Sequence, residues 1–154
     1  MLRSDIPQNA TALPFVLSCC STADRNAAWF EERRIAYVPF HVCLDGQNYP
    51  DDLGQSLPFP DFYRRLAEGT VATTSQVNVG EFLAFFEPML QNGSDVLHIS
   101  FSSGLSGAWQ SACIAAGQLR NRYPNRRIEV LDSLCASSGY GLLVEQAADL
   151  RDRG

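Results

Sequence analysis

Short apolar segments alternate with amphipathic ones along most of this 154-residue chain. The segments at residues 15–19, 96–99 and 128–131 have the length and composition of strands, and the last two are apolar enough to be buried on both faces. Helical periodicity is found between and after them, at residues 23–33, 59–67, 79–90, 106–121 and 139–151. This alternation predicts an α/β fold with a mainly parallel sheet flanked by helices.

Two local signals refine the prediction. Residues 35–44 alternate like one strand and end at Asp45-Gly46, a hairpin turn signal, followed by a short return strand through Tyr49. Thr22 or Asp24 is expected to cap the helix at 23–33. Because parallel sheets bind ligands at the carboxyl ends of their strands, the polar segments after the strands are the candidate sites.

Length and composition limit the class of protein. The chain is long enough for one domain, predicted at residues 14–154 behind a flexible leader at 1–13. All 12 basic residues are arginines and they are scattered, so with a net charge of −5 we expect no nucleic acid partner. No apolar run is long enough to span a bilayer and no signal-peptide core is present, which predicts a cytoplasmic protein.

The cysteines and histidines do not predict a metal site. The five cysteines show no CxxC spacing, and we expect most of them to be small buried hydrophobes. His41 and His98 fall inside apparent strands, whereas a metal site needs clustered ligands. We therefore expect neither a metal nor a cofactor.

Two clusters of hydroxyl residues are the strongest indication of a binding site. The first is residues 73–76 (TTSQ), and the second is residues 102–107 (SSGLSG), directly after the apolar run at 96–101. Each cluster is predicted to be a loop that leads into a helix, whose first N–H groups have no partner within the helix. Hydroxyls and free N–H groups together can hold one oxyanion, such as a carboxylate or a phosphate.

Five short segments follow one another in a distinctive order. They are Ser21-Thr22, Val38-Pro39-Phe40, residues 73–76, residues 99–107 and Asp132-Ser133. In this order and at these spacings they resemble the DegV family of bacterial fatty-acid-binding proteins, and the resemblance covers about residues 14–154.

The resemblance implies a specific ligand. Family members hold one long-chain fatty acid in a tunnel between an α/β domain and a second, C-terminal domain, and the carboxylate is bound by hydroxyls of the two clusters and a histidine of the second domain. In this chain Thr74 and Ser103 are the first choices for carboxylate contact. Ser75, Ser106 and the N–H of Gly107 are second choices. 

The resemblance also implies a carrier without enzymatic activity. In some members a separate fatty-acid kinase phosphorylates the bound carboxylate, which yields an acyl phosphate for phospholipid synthesis. A kinase is therefore a possible partner of this chain.

Three departures from the family pattern affect this interpretation. Cys20 stands where an Asp is expected, and Ala108 replaces a Thr. The chain is also expected to lack the second domain, which would complete the tunnel, and so to bind fatty acid weakly by itself. A truncated or non-functional DegV fragment is therefore an alternative.

Other interpretations of the same residues stay open at this point. The hydroxyls can instead cap helices and close turns, and Phe82, Phe85 and Phe86 can be ordinary core instead of a tunnel wall. Residues 104–108 are one residue short of the nucleophile elbow of a serine hydrolase, with Ser106 as nucleophile. A small-anion or phosphate site at the helix N-termini is a further alternative, although no Gly-rich nucleotide motif is present.

Overall fold

The computed structural model describes residues 13–154, and the predicted leader lies, except for residue 13, outside them. Within this range there are two β-sheets and five α-helices. The strands are β1 (Val16–Cys20), β2 (Ile35–Val38), β3 (His41–Leu44), β4 (Gln47–Pro50), β5 (Ala72–Ser75), β6 (Val96–Ser100) and β7 (Ile128–Asp132). The helices are α1 (Ala27–Glu32), α2 (Phe59–Ala67), α3 (Val79–Gln91), α4 (Ala108–Arg122) and α5 (Ser137–Arg153).

Four strands form a parallel sheet in the order β2-β1-β6-β7, which confirms the predicted fold class. β1 and β6 are its central strands and are almost entirely buried. The connection from β1 leads to β2 on one side of the central pair, and the connection from β6 leads to β7 on the other side. The carboxyl ends of β1 and β6 therefore form the topological switch point, where sheets of this kind bind ligands.

The expectation that residues 128–131 are buried on both faces is wrong. β7 lies at the edge of the described sheet, and only Ile128 of its five residues is buried. Leu131 is 52% exposed. An apolar run identifies a strand, but it does not distinguish a central position from an edge whose side chains remain uncovered.

Helices α3 and α4 pack against each other and against β6. α3 buries Phe82, Phe86 and Leu90, one residue per turn, as its apolar period predicts. It begins with a reciprocal capping box between Asn78 and Glu81. Helix α5 packs on β1 and on a short 3₁₀ turn that follows it, Ser21–Ala23.

Pro39 divides the segment 35–44, predicted as one strand, between two different sheets. A proline has no N–H to give to a strand ladder, so the chain turns there. The next N–H, that of Phe40, donates to the hydroxyl of Ser21 at 3.1 Å. β3 then pairs antiparallel with β4 through the predicted hairpin turn, in which Asp45 and Gly46 both have positive φ.

The first hydroxyl cluster is largely a strand and not a loop. Residues Ala72–Ser75 form β5, which pairs antiparallel with β3 and places Thr74 opposite Val42. The β-branched residues Thr73 and Thr74 suit a strand, and this preference outweighs the turn signal. Because side chains alternate along a strand, Thr73 and Thr74 face opposite sides of the small sheet β4-β3-β5.

Three helices begin at positions other than those predicted. Asn26, and neither Thr22 nor Asp24, caps α1, because its side chain accepts the N–H of Trp29 at 2.9 Å. Asp24 has a left-handed backbone, with φ of 52°, which separates the 3₁₀ turn from α1. Helices α4 and α5 are each shifted by about two residues at their starts.

Across residues 13–154, none of the helices combines the length and the apolar character needed to cross a lipid bilayer.

Candidate functional site

A cavity of about 500 Å³ lies at the topological switch point, between the carboxyl ends of β1 and β6 and the small antiparallel sheet. Separate parts of the chain contribute to its wall, including the turn after β1, strands β3 and β5, and the loop between β6 and α4. The lining residues are Thr22, Phe40, His41, Val42, Asp51, Thr74, Ser75, Gln76, Phe101, Leu105, Ser106 and Gly107. The strand order predicts a ligand at this edge of the sheet.

The cavity brings the two hydroxyl clusters together. Thr74 and Ser75 reach it from β5, and Ser106 and Gly107 reach it from the loop before α4. Four of the five residues predicted to contact a carboxylate therefore line one cavity.

Ser103 is the fifth, and it does not line this cavity. It is exposed, and its N–H donates to Oδ1 of Asp132 at 3.0 Å. The same oxygen accepts the N–H of Leu134 at 3.1 Å, so Asp132 ties the loop after β6 to the loop after β7. Burial raises the pKa of the Asp132 carboxyl, but the hydrogen bonds from Ser103 and Leu134 outweigh it and lower the pKa overall. Carboxylate contact by Ser103 stays a prediction, and Ser106 is better placed for it.

A hydrogen-bond network crosses the cavity from β5 to α4. The hydroxyl of Ser106 donates to Oε1 of Gln76 at 3.2 Å and accepts the N–H of Ala108 at 3.2 Å. The amide of Gln76 lies against Gly107, where a Cβ would come within 2.8 Å of it. A side chain at position 107 would therefore displace the Gln76 amide.

Thr22 also lines the cavity, although the sequence did not identify it as a site residue. Its hydroxyl oxygen is buried and has no hydrogen-bond partner within the described structure. A buried hydroxyl without a partner costs about 1–3 kcal/mol, and unpaired groups of this kind are rare in folded proteins. The sequence signal for it is its position in a Ser-Thr pair after a buried strand, and helix capping accounts for such a pair equally well.

Charge in the cavity is sparse. Among the described lining residues, Asp51 is the one carboxylate and His41 is the one imidazole. Nε2 of His41 lies 3.0 Å from Oε1 of Glu81. None of the arginines between residues 13 and 154 lines the cavity, whereas phosphate sites are commonly built with arginine or lysine.

A buried polar cluster lies behind the cavity and joins β1 to β6. Nδ1 of His98 is 3.1 Å from the hydroxyl of Ser18, and Nε2 is 3.8 Å from the sulfur of Cys20. The Tyr140 hydroxyl accepts the N–H of Cys20 at 2.9 Å and donates to the carbonyl oxygen of Ile99 at 2.5 Å. Burial lowers the pKa of His98 to about 3 and raises the pKa of the Cys20 thiol to about 11, so both are neutral near pH 7.

The surroundings of His98 bear on two alternatives, the role of the phenylalanines and the serine hydrolase. Phe82 and Phe86 are fully buried and present their ring faces or edges to the His98 ring, with centroids 5.3 and 5.2 Å away, so they belong to the core. Phe85 is half-buried and lies beside a smaller cavity next to His41. A serine hydrolase gains no support, because Ser106 gives its proton to an amide oxygen and His98 is enclosed in the core.

The described residues do not assemble a metal site. Cys19 and Cys20 are buried, and the other three cysteines are half-buried. Between residues 13 and 154 no three histidine, cysteine, aspartate or glutamate side chains are grouped closely enough to hold a metal ion.

Fold and cavity together define an α/β domain with a hydroxyl-lined cavity at the carboxyl edge of a parallel sheet. Residues 20–154 match the family described as "Uncharacterised protein, DegV family". The chain belongs to the DegV family, as the order of its motifs predicts.

Similar proteins agree with this assignment. A DegV domain-containing protein of Streptococcus pyogenes serotype M3 is 36% identical over 143 residues, which cover 92% of this chain and 50% of that protein. A structure described as fatty acid binding of a DegV family protein from Thermus thermophilus matches with a TM-score of 0.79 and 29% identity, over 92% of this chain and 49% of that one.

A third protein shares the fold at lower identity. It is the fatty acid kinase (Fak) B3 protein of Streptococcus pneumoniae, loaded with linoleic acid, with a TM-score of 0.75 and 23% identity over 92% of this chain and 50% of that one. The present chain spans about half the length of each of these proteins.

Proposed function

We propose that this chain binds a long-chain fatty acid, with the carboxylate in the hydroxyl-lined cavity, as part of a carrier and not as an enzyme. The observation that carries the proposal is the convergence of Thr22, Thr74, Ser75 and Ser106 on one cavity, where the buried hydroxyl of Thr22 has no partner. Hydroxyl donors of this kind can satisfy the oxygens of one carboxylate.

Hydrogen bonds from these groups offset the cost of burying the carboxylate. A hydrogen bond to a charged group contributes about 1.5–3 kcal/mol, so two or three hydroxyls are sufficient to hold one carboxylate. The N–H of Gly107 precedes α4 and adds a donor near the positive end of the helix dipole. A phosphate, which carries more charge, would meet Asp51 and none of the described arginines in this lining, and this favours the carboxylate.

Apolar surface next to the cavity suits an acyl chain. Phe40, Phe101 and Leu105 line the cavity itself, and Leu105 is 67% exposed. Leu134 is 74% exposed and belongs to the loop that Asp132 joins to the loop after β6. Each methylene that becomes buried contributes about 0.8 kcal/mol, so a long chain supplies the larger part of the affinity.

The carrier role would make the bound carboxylate a substrate for a separate kinase. Two observations support this part of the proposal: the fold shared with the Fak B3 protein, and the hydroxyl of Ser106, which donates to the amide oxygen of Gln76 and not to a base. A fatty-acid kinase supplied with ATP should then convert the bound acid to an acyl phosphate, and the chain alone should not.

Paired substitutions test the carboxylate site. We expect Thr74→Val, which removes a hydroxyl from the cavity, to weaken fatty acid binding about tenfold or more in the full gene product that contains these residues. Thr73→Val is the matched control, because Thr73 precedes it in β5 and does not line the cavity. Displacement of a fluorescent fatty acid measures both affinities.

The same assay distinguishes Ser106 from Ser103 as a carboxylate-binding residue. Ser106→Ala should weaken binding more than Ser103→Ala, because only Ser106 lines the cavity. Equal affinities for Thr74→Val and Thr73→Val, together with no effect of either serine substitution, would contradict the proposed carboxylate site.

A further inference from the structure

We infer that His41 contacts the carboxylate of the ligand through its imidazole ring, positioned by Glu81. The inference rests on the proposed function and adds an imidazole to a cavity in which the other predicted carboxylate contacts of this chain are hydroxyls and one N–H.

The position of His41 between two cavities carries the geometric part of the argument. It lines the hydroxyl-lined cavity and also a second cavity of about 300 Å³, whose wall includes Glu81 and Phe85. Its Nε2 lies 3.0 Å from Oε1 of Glu81, and its side chain is 23% exposed. In the β3–β5 ladder His41 lies opposite Ser75, one of the predicted carboxylate-binding residues.

Glu81 is itself fixed by the start of α3. Its Oε2 accepts the N–H of Asn78 at 2.8 Å, and its own N–H donates to the Asn78 side chain at 3.1 Å. The capping box therefore sets the place of this carboxylate, and the carboxylate holds one nitrogen of the His41 ring. Helix α3, which does not line the hydroxyl-lined cavity, therefore holds the imidazole at the cavity wall.

Among the described residues, the other charged groups that line these two cavities are both carboxylates. Glu81 faces it from α3, Asp51 follows β4 in the same cavity wall, and β5 presents the neutral hydroxyl of Ser75. An imidazolium ring donates from both of its nitrogens, so it can hold Glu81 through one and the ligand carboxylate through the other. Among the other described lining residues, the ligand carboxylate meets Asp51 and neutral donors.

Comparison of a fatty acid with its uncharged analogue tests this inference. In the full gene product, His41→Gln should lower the affinity for oleic acid by about ten- to a hundredfold and leave the affinity for oleyl alcohol unchanged within about twofold. Asp51→Asn should raise the affinity for the acid and leave the alcohol unchanged, because it removes a like charge. Circular dichroism and thermal unfolding verify the fold, and His41→Thr, which also suits a strand, replaces a His41→Gln that fails to fold.

Two results would overturn the inference while the proposed function stands. One is an unchanged affinity of His41→Gln for oleic acid, and the other is an equal loss for acid and alcohol, which would show a purely structural role. If the wild-type protein binds neither compound, the proposed function fails and this inference fails with it.

Discussion

Gly107 lies so close to Gln76 that a Cβ at this position would come within 2.8 Å of the side-chain amide. Gly107→Ala should displace that amide and break its hydrogen bond with Ser106, and so weaken fatty acid binding about tenfold. The melting temperature should change little, because the displaced group is the end of a flexible side chain. Displacement of a fluorescent fatty acid measures the affinity, and thermal unfolding measures the melting temperature.

Gly104→Ala provides the control for this prediction in the same loop. A Cβ there would lie 3.5 Å from the hydroxyl of Ser102, which is an ordinary contact. Equal binding by the two variants would show that the Gln76–Ser106 network does not shape the site.

His98 makes the stability of the protein depend on pH. Burial lowers its pKa from 6.5 to about 3, so between these values the unfolded chain binds a proton that the folded protein does not. The free energy of unfolding should therefore fall as pH decreases from about 6.5 to about 3, by up to about 1.4 kcal/mol per pH unit from this group. Urea unfolding at several pH values measures the slope.

Comparison with His98→Gln isolates this contribution, because the carboxylates titrate in both proteins. The variant should be less stable at pH 7 but lose less stability on acidification. Parallel pH profiles would contradict the neutral, buried state of His98.

At the scale of one element, two glycines of helix α5 should respond with opposite signs. A Cβ at Gly141 would lie 2.4 Å from the carbonyl oxygen of Ala23, so Gly141→Ala should push α5 away from the 3₁₀ turn and lower the free energy of unfolding by about 1–3 kcal/mol. At Gly139 the nearest atom is the Cβ of Cys135 at 4.0 Å, and Gly139→Ala should raise stability by about 0.5–1 kcal/mol. Chemical denaturation of both variants tests the packing of α5.

The contact of Gly141 also links the packing of α5 to the hydroxyl-lined cavity. The 3₁₀ turn that it contacts contains Thr22, a lining residue of the cavity. Gly141→Ala should therefore reduce fatty acid affinity as well. A variant as stable as the wild type would show that α5 does not pack in this way.

The sequence predicted some elements well for identifiable physical reasons. α3 has a regular apolar period and β6 is continuously apolar, and both lie within about one or two residues of their predicted bounds. The segment 35–44 was predicted wrongly because its alternation continues across Pro39, where the chain changes sheets. The segment 73–76 was predicted wrongly because Thr and Ser suit turns and strands alike.

At the scale of the whole molecule, the cavity depends on which strand ends meet. Alternating elements predicted the carboxyl edge of the sheet. The order of motifs predicted five carboxylate-binding residues, of which Thr74, Ser75, Ser106 and Gly107 line the cavity and Ser103 does not. Periodicity does not predict that His41 and Asp51 line the cavity, because these residues lie in or next to the small antiparallel sheet. Only the folded arrangement shows that these residues are neighbours.

Lipid extraction followed by mass spectrometry tests the central claim most directly. The full gene product and its Thr74→Val/Ser106→Ala double variant are purified in parallel, with Thr73→Val as the control. We predict close to one long-chain fatty acid per wild-type and control molecule, and a marked loss from the double variant. No fatty acid in the wild type, or equal amounts in all three proteins, would contradict a carboxylate site in this cavity.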